Sequence, residues 1–294
     1  MDASRARFLN SHTLPEDAAA SDMLQAVVEL PTQRLVAGQL VHEGDMLSNE
    51  VPVALVFNGI SHAVMMATPQ DLPALALGFS LSEGILGAAD ECYGIEVVAM
   101  DAQTATNGLP AAFEVRLEIA SRRFATLKER RRFLSGRTGC GVCGVESLAS
   151  FELDAPRVAR PSWIDALDVT PLAYAFEQLP ARQVLNRQTG SMHAAGWVLP
   201  DGELVQVMED VGRHNALDKL LGWRAMLPEK EATEGFVVMT SRASYELIRK
   251  CAYRNVPVLA AISAPTVLAL QLAGHTGMRL FGLCRQGKAV QYTN

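Results

Sequence analysis

The second half of the chain alternates strand-like and helix-like hydrophobic patterns. The segments FVVMTS, VPVLAAIS and RLFGLCR are short apolar runs, whereas SYELIRKCAYRN and APTVLALQLAGHTG carry apolar residues at helical spacing. This alternation predicts an α/β domain with a mainly parallel sheet covered by helices. Ligands of such sheets bind outside the carboxyl ends of the strands, where helix N-termini offer free N–H groups to anions. We therefore expect binding residues within 240–244 and 262–266.

The first half predicts a smaller α+β domain. The runs QAVVEL, RLVAGQLVHEG and VPVALVFNG are β-prone and are separated by Pro, Gly or Asn, which is typical of hairpins. The stretch ATPQDLPALALGFSLSEGIL changes to helical spacing, with Thr68 as the expected N-cap and Gly84 at the end. The runs GIEVVAM and AAFEVRLEI predict two more strands. The predicted organisation is a tail at 1–22, this domain at 23–135, a glycine-rich cysteine loop at 136–147 and the α/β domain at 148–294.

Composition and charge narrow the range of functions. With 294 residues, 49% of them hydrophobic, the chain can fill sizeable packed cores. The net charge of -6 argues against a nucleic-acid binder, so an anionic ligand must be bound by a local cluster of positive charge. The longest apolar run, 256–274, contains Pro265 and several polar residues, which predicts a buried strand and helix and not a membrane span. The N-terminus lacks the continuous apolar core that a signal peptide needs, so we expect a cytoplasmic protein with no membrane partner.

Two of the five cysteines, Cys140 and Cys143, lie close together in the stretch TGCGVCGVESL. A structural zinc site needs four ligands, and the chain has no second C-x-x-C pair and no H-x3-5-H pair. Zinc would have to be completed by distant residues such as His193, His214, Cys251 or Cys284. A thioredoxin-like dithiol site would lie at a strand-to-helix junction, whereas this pair follows an arginine-rich segment.

The surroundings of the pair favour nucleophilic sulfur chemistry. Glycines at 139, 141 and 144 permit positive φ angles and leave the sulfur atoms accessible to another molecule. The positive charges of four nearby arginines stabilise a thiolate over a thiol. These are Arg130, Arg131, Arg132 and Arg137. For the arginines alone a solvated helix end is the simpler interpretation, but together with the thiol pair they favour a nucleophilic role.

Six blocks, in a fixed order from about Glu50 to the C-terminus, carry a family resemblance. The blocks are EVPVALVFNGISHAVMMATPQDLPALALGFSLSEGIL, TGCGVCGVESL, TGSMHAAGWV, MEDVGRHNALDKLLG, TSRASYELIRKCAYRNVPVLAAISAPTVLALQLA and GLCRQGKAVQYT. In this order they resemble the FdhD family of formate dehydrogenase accessory sulfurtransferases. The resemblance implies a cytidine-deaminase-like C-terminal domain that carries the smaller N-terminal domain.

The resemblance also implies a sulfur carrier. A member of the family would accept sulfur from a cysteine desulfurase as a persulfide. It would then transfer the sulfur to the molybdenum cofactor, bis-molybdopterin guanine dinucleotide, before that cofactor enters the formate dehydrogenase apoenzyme. By their positions in the motif, Cys140 would bear the persulfide and Cys143 would be its partner, and the protein would be a homodimer. The alternatives are a chaperone that binds and delivers the cofactor without sulfur chemistry, and a dithiol reductase.

The segment LCRQGK is similar to the family's cofactor-binding stretch. Its residues are Leu283, Cys284, Arg285, Gln286, Gly287 and Lys288. Arg285 and Lys288 would pair with phosphate of the guanine nucleotide portion. The sequence departs from the family pattern at Leu283, where an aromatic residue is common. For Cys284, a second sulfur-reactive group is one interpretation and a buried strand cysteine is the favoured one.

Three other blocks predict further contacts with the cofactor. The TGSMH block forms either a phosphate-facing turn with a histidine as donor, or a turn with a structural histidine. The GRHN block either faces an anion at a helix start, or is capped by its asparagine with its charges solvated. For the SRAS block, at the carboxyl end of a strand, ligand contact is favoured. These blocks contribute the candidates Thr189, Gly190, His193, Arg213, His214, Ser241, Arg242 and Ser244.

Deaminase chemistry is not expected on this scaffold. That reaction needs an H-x-E segment and a P-C-x-x-C segment to hold zinc and a catalytic glutamate. His193 and His214 are each followed two residues later by alanine, and Cys140 is preceded by Gly139. We therefore predict no tightly held metal.

Overall fold

The computed structural model describes residues 25–100, 112–132, 155–228, 231 and 233–294. The strands are β1 (Val27–Val36), β2 (Gln39–Ser48), β3 (Val51–Phe57), β4 (Ile60–Ala67), β5 (Cys92–Met100), β6 (Ala112–Ile119), β7 (His193–Val198), β8 (Leu204–Asp210), β9 (Phe236–Met239), β10 (Val258–Ala261), β11 (Arg279–Arg285) and β12 (Lys288–Gln291). The helices are α1 (Leu72–Ser82), α2 (Ser121–Arg132), α3 (Val169–Arg182), α4 (Val184–Thr189), α5 (Arg213–Met226), α6 (Tyr245–Tyr253) and α7 (Val267–Thr276). Short 3₁₀ turns lie at Ala89–Glu91 and Ile164–Ala166.

The first half contains a hairpin and a four-stranded sheet. Strands β1 and β2 form the hairpin, antiparallel along their full length. The sheet has the order β4-β3-β6-β5. Strands β3 and β6 are parallel, whereas the pairs β3–β4 and β5–β6 are antiparallel. In β6 every second residue is buried, because the alternating sequence turns Val115 and Leu117 to one face. Helix α1 covers that face with Leu75 and Leu81.

The second half forms a six-stranded sheet of order β12-β11-β10-β9-β7-β8. Neighbouring strands β9, β10 and β11 are parallel, whereas β7 is antiparallel to β9 and β12 is antiparallel to β11. Alternate residues face opposite sides: Val237 packs with residues of α5, α6 and α7, and Val238 packs with residues of α3. Helices therefore cover both faces. The α/β class is confirmed, and the predicted parallel strands are flanked by antiparallel ones on both sides.

The long apolar run from 256 to 274 is a strand followed by a helix, as predicted. The strand is buried throughout, whereas the helix is buried on one side only, with Val267 and Gln271 exposed, which corrects the expectation of a buried helix. The run contains β10, whose four residues are fully buried, and most of α7. Among the helices that the structure describes, none combines the length and the apolar character needed to cross a membrane.

Thr68 is not the N-cap of α1, which corrects the prediction. The helix begins at Leu72, and its N-cap is Asp71, which has a left-handed backbone with φ of 55°. Thr68 is fully buried, and its hydroxyl accepts a hydrogen bond from the Val211 amide at 3.2 Å. Its amide and hydroxyl are therefore used by the distant Asp210 and Val211 and not by the helix. The predicted helix end is confirmed, since α1 stops at Ser82 and Gly84 has a positive φ of 68°.

Helices α1 and α5 are in backbone contact at two glycines. A Cβ atom on Gly78 would lie 1.7 Å from the carbonyl oxygen of Asp218, and one on Gly222 would lie 1.9 Å from that of Ala74. Glycine at both positions is what permits this close approach. The contact joins the four-stranded sheet to the six-stranded sheet, and the domain bounds given above stay a prediction.

A buried charge cluster, here named the interior cluster, lies beside this contact. It consists of Ser82, Glu83, Asp218, Arg249 and Lys250. Lys250 Nζ lies 2.8 Å from carboxylate oxygens of both Asp218 and Glu83, and it donates to Ser82 Oγ at 3.0 Å. Arg249 donates to Glu83 at 2.8 Å. The cluster therefore links the end of α1 to α5 and α6.

Candidate functional site

Four of the predicted ligand blocks meet at one edge of the six-stranded sheet, here named the site edge. Strands β8, β9 and β10 end there, and helices α5, α6 and α7 begin there directly afterwards. Because β7 is antiparallel to both of its neighbours, its first residue, His193, also lies at this edge, opposite Asp210. The turn between β11 and β12 closes the edge. Three helix N-termini therefore place their positive dipole ends at this edge. The starts of α5 and α6 have no side-chain cap, whereas the Thr266 hydroxyl caps α7 by accepting from the Ala269 amide.

Arg213 and His214 form the first residues of α5 at the site edge. His214 Nε2 lies 3.8 Å from Glu246 Oε2 in the first turn of α6, so the two helix starts are neighbours. The interaction with His214 holds the pKa of the Glu246 carboxyl at about 2, although burial opposes this shift. The Arg213 Nε atom is buried and has no hydrogen-bond partner among the described residues. It is a donor that an anionic ligand would satisfy.

His193 is half-buried and close to these charges. Burial lowers its pKa, and the nearby charges of Arg213 and His214 lower it further, while the carboxylate of Asp210 opposes them. The pKa of the free side chain is 6.5, so this imidazole is mainly neutral at neutral pH. A neutral ring has one donor and one acceptor nitrogen for a ligand.

Asp210 is fully buried and organises the turn that leads into α5. One carboxylate oxygen lies 2.7 Å from Lys219 Nζ and accepts from the Thr68 amide at 3.1 Å. The other accepts from the Gly212 amide at 2.8 Å and from Asn215 Nδ2 at 3.0 Å. These five residues are named the edge cluster. Asn215 does not cap the helix, because the N-cap is Gly212, so the capping interpretation is wrong.

The end of β9 supplies one exposed cation and two buried hydroxyls. Ser241 and Ser244 are buried, and Ser244 is the N-cap of α6. The Ser241 hydroxyl donates to the Arg242 carbonyl at 3.0 Å. The Arg242 side chain is exposed. Of this block, the guanidinium is therefore the group best placed to meet a ligand from solvent.

The segment 283–288 is a tight hairpin at the same edge. Gln286 and Gly287 have positive φ values of 53° and 69°, which is typical of a two-residue hairpin turn. Arg285 and Lys288 are paired across the turn, and both are exposed. Leu283 has a φ of 54°, and its amide donates to the Ser263 carbonyl at 3.3 Å, which ties the hairpin to the loop after β10. Two cations thus project beyond the sheet.

Thr189 and Gly190 lie at the C-terminus of α4. The Thr189 hydroxyl donates to the Leu185 carbonyl at 3.0 Å, and Gly190 closes the helix with φ of 67°. A helix C-terminus presents carbonyl oxygens, which repel phosphate. The geometry favours the turn interpretation for this block, and its contact with the cofactor stays a prediction.

Cys140 and Cys143 lie outside the described residues, as does the rest of the 136–147 loop. The three cysteines that are described are all buried. Burial raises the pKa of Cys92 to about 11 and that of Cys284 to about 12, and it also raises the pKa of Cys251. Thiols of this kind are poor nucleophiles at neutral pH, which favours the buried-strand interpretation of Cys284.

Sequence reasoning missed Asp210, Lys219 and Glu246. A signal for Lys219 was present: it stands between the apolar residues Leu217 and Leu220, in the stretch 216–222 of α5, whose residues are all buried. A lysine in such a stretch is buried only when it is paired. No comparable signal marked Glu246, whose role depends on where α5 and α6 begin.

Comparison with known proteins identifies relatives over most of the chain. The sequence profile of the FdhD/NarQ family matches residues 48–294. The "Sulfur carrier protein FdhD" of Chromobacterium violaceum is 49% identical over 269 residues, which cover 92% of this chain and 96% of that protein. The protein of the same name from Burkholderia cenocepacia is 47% identical over 271 residues, covering 92% and 95%.

A solved structure has the same fold. It is a crystal structure from Desulfotalea psychrophila described as a candidate formate dehydrogenase accessory protein, with a TM-score of 0.67 and 21% identity. The similarity covers 92% of this chain and 98% of that one. Because a family profile and close relatives both match well over two thirds of its length, the chain belongs to the FdhD/NarQ family.

Proposed function

We propose that this protein is a sulfur carrier for the maturation of formate dehydrogenase. In detail, it accepts sulfur from a cysteine desulfurase as a persulfide on Cys140 and transfers it to the molybdenum cofactor, its transient substrate. The name of relatives 49% and 47% identical supports the carrier role. The observation that supports the cofactor part is the site edge, where three helix N-termini and exposed cations lie at the same end of the strands.

The loading step is a thiol–persulfide exchange. The Cys140 thiolate attacks the terminal sulfur of the donor's persulfide, so that a new S–S bond forms at Cys140 while the donor's S–S bond breaks. The donor leaves as a thiolate, and no external oxidant or reductant is needed.

The release step requires two electrons, because the carried sulfur must leave at the level of sulfide. Cys143 supplies them by attacking the inner sulfur of the Cys140 persulfide. The disulfide between Cys140 and Cys143 forms, and the terminal sulfur leaves as hydrosulfide toward the cofactor. A dithiol reductant then restores both thiols before the next cycle.

The site edge binds the anionic, nucleotide-bearing part of the cofactor. Arg242, Arg285 and Lys288 are exposed cations that suit phosphate oxygens. The neutral His193 ring adds hydrogen-bonding groups, and so does the Nε of Arg213, which has no partner among the residues that the structure describes. The protein's own part is to hold this polar substrate in a fixed orientation while sulfur is delivered.

The loading step is tested by intact-protein mass spectrometry after incubation with a cysteine desulfurase and free cysteine. The wild type is compared with Cys140→Ala, Cys143→Ala and, as a matched control, the buried-cysteine variant Cys92→Ala. We expect a gain of one sulfur atom that reductant removes and that is lost only in Cys140→Ala. Absence of added sulfur on every form, with an active donor, would favour the cofactor-delivery chaperone instead.

The cofactor part is tested by calorimetry with guanosine diphosphate, which carries the guanine and a diphosphate. Arg285→Ala should weaken binding about tenfold, the loss that one charged hydrogen bond produces. The matched control is Arg116→Ala, an exposed arginine on the four-stranded sheet, and it should bind like the wild type. An equal affinity in all three proteins would remove the hairpin from the site.

A homodimer, a cytoplasmic location and the formate dehydrogenase apoenzyme as a partner complete the proposal. A cell that lacks this protein should make formate dehydrogenase that is inactive. Wild-type protein should restore that activity, and Cys140→Ala should not.

A further inference from the structure

Helix α5 takes part in two buried ion pairs, and only one of them touches the site edge. Asp210 and Lys219 are both fully buried at 2.7 Å, and Asp218 is paired with Lys250 in the interior cluster. Removing two charges from water costs nearly as much as their attraction returns, so a buried pair is weak evidence for stability. The Asp210–Lys219 pair therefore calls for a different explanation.

Asp210 accepts hydrogen bonds from Gly212 and Asn215, the residues that flank Arg213 and His214 along the chain. The same carboxylate oxygen accepts from the Gly212 amide, just before them, and from the Asn215 amide group, just after them. The backbone around both cations is therefore fixed at two points by one buried oxygen. A Cβ atom on Gly212 would lie 3.0 Å from Asn215 Nδ2, so the turn is also tightly packed.

The first half of the chain holds the same turn from the other side. The Thr68 amide donates to Asp210, and the Thr68 hydroxyl accepts from the Val211 amide. Lys219 donates to the Thr68 carbonyl at 3.1 Å, and Asn215 donates to the Met66 carbonyl at 2.8 Å. Strand β4 and the residue after it are therefore part of the support.

We propose that Asp210, Lys219 and Asn215 are positioning residues, which hold Arg213 and His214 toward the anionic ligand of the site edge. The inference rests on the proposed function, since it assumes that an anion binds there. None of the three needs to touch the ligand. Asp210 and Lys219 are fully buried, and they act through the backbone of the 211–215 turn.

The test compares Asp210→Asn and Asn215→Ala with Asp218→Asn, all in the full-length protein. The first two disturb the edge cluster. The control removes a carboxylate charge from the interior cluster, where Asp218 of α5 is paired with Lys250. Guanosine diphosphate is the probe in calorimetry. We expect about tenfold weaker binding in both edge variants, the effect of misplacing one charged hydrogen bond, and wild-type binding in the folded control.

A second readout separates positioning from simple loss of fold. The imidazole resonances of His193 and His214, assigned with His193→Gln and His214→Gln, are recorded without ligand. They should shift in Asp210→Asn and Asn215→Ala and stay in place in Asp218→Asn. Asn215 is not fully buried, so its variant keeps the test available if Asp210→Asn does not fold.

The outcomes distinguish this inference from the proposed function. If the wild type binds the nucleotide and both edge variants bind equally well, the positioning role is overturned. An equal loss in Asp218→Asn would also overturn it, because the effect would then belong to the fold in general. If the wild type itself does not bind guanosine diphosphate, the proposed cofactor site fails. The NMR result is independent of binding: histidine resonances that stay in place in both edge variants would overturn the positioning role.

Discussion

The edge cluster and the interior cluster place similar charges around one helix and connect them differently. In the edge cluster, Asp210 bonds to two backbone amides and to two side chains, so its partners include the turn that carries the ligand candidates. In the interior cluster, Lys250 bonds only to side chains, those of Ser82, Glu83 and Asp218, within the contacts that the structure describes. Charges that bond to backbone define the path of a loop, whereas charges that bond to one another join helices. Changes in the interior cluster should therefore lower stability, whereas changes in the edge cluster should weaken ligand binding.

The largest expected effect comes from Lys250→Met. It leaves the buried Asp218 without its cation and takes one of two cations from Glu83, which should lower the free energy of unfolding by about 4 kcal/mol. Urea unfolding measures the loss. Lys128→Met, at an exposed lysine whose Nζ lies 4.8 Å from the centroid of the Phe124 ring, is the control and should change stability by less than about 1 kcal/mol. A Lys250 variant as stable as the wild type would show that the interior cluster does not join the helices.

The next effect is expected from Gly78→Ala, which forces α1 away from α5. The new Cβ would meet a backbone carbonyl that cannot move aside, so we expect a loss of about 3 kcal/mol. Gly274→Ala is the matched control, because Gly274 is an exposed helix residue and an added Cβ there would have no atom within 4 Å. That change should stabilise the protein by about 1 kcal/mol in the same urea experiment. Equal behaviour of the two variants would contradict the close helix contact.

Acid should affect the interior cluster through Glu83. The cations Lys250 and Arg249 lower the pKa of this carboxyl from 4.5 to about 2, against the effect of burial. A lowered folded-state pKa gives stability that is present above about pH 4.5 and is lost as the pH falls toward 2. In Glu83→Gln, the difference in the free energy of unfolding between pH 6 and pH 2 should be smaller by about 2 kcal/mol than in the wild type, as measured by urea unfolding. An unchanged slope would show that Glu83 is not ionised in the cluster.

The smallest expected effect on stability is in the edge cluster, with Gly212→Ala. The added methyl group presses on Asn215, which can shift slightly, so the loss of stability should stay below about 1 kcal/mol. Binding of guanosine diphosphate should nevertheless weaken severalfold, because the turn around Arg213 and His214 moves. The opposite pattern, a large loss of stability with normal binding, would remove the difference between the two clusters.

Much of the fold could be predicted from local patterns. The segments FVVMTS and VPVLAAIS are short and mainly apolar, and they form the buried strands β9 and β10. The antiparallel orientation of β7 was not predictable in this way, because the residues HAAGWV carry no signal for whether the strand runs parallel or antiparallel to its neighbours. Thr68 was assigned to the wrong role for a related reason: a threonine before a helical pattern looks like a cap, and its true partners are 142 and 143 residues away.

The candidate site was predictable in part. The expectation that ligand residues follow strand ends predicted Arg242, whereas His214 was expected from a helix start and Arg285 from the family resemblance. The structure brings all three to one edge. The support beneath them was not predicted, since a charged residue in a sequence is normally taken as exposed. The pairing of Asp210 with Lys219 is evident only from the distance between them and from their complete burial.

The long sequence separation within both clusters has a consequence for how the chain is made. Ser82 and Lys250 are 168 residues apart, and Thr68 and Asp210 are 142 residues apart. During synthesis, α1 is therefore complete well before the helices that cover its glycine surface and neutralise Glu83. Contacts between such distant segments close slowly, and the apolar surface exposed in the meantime promotes aggregation. The newly made first half is thus the stage at which the apolar surface of α1 is least covered.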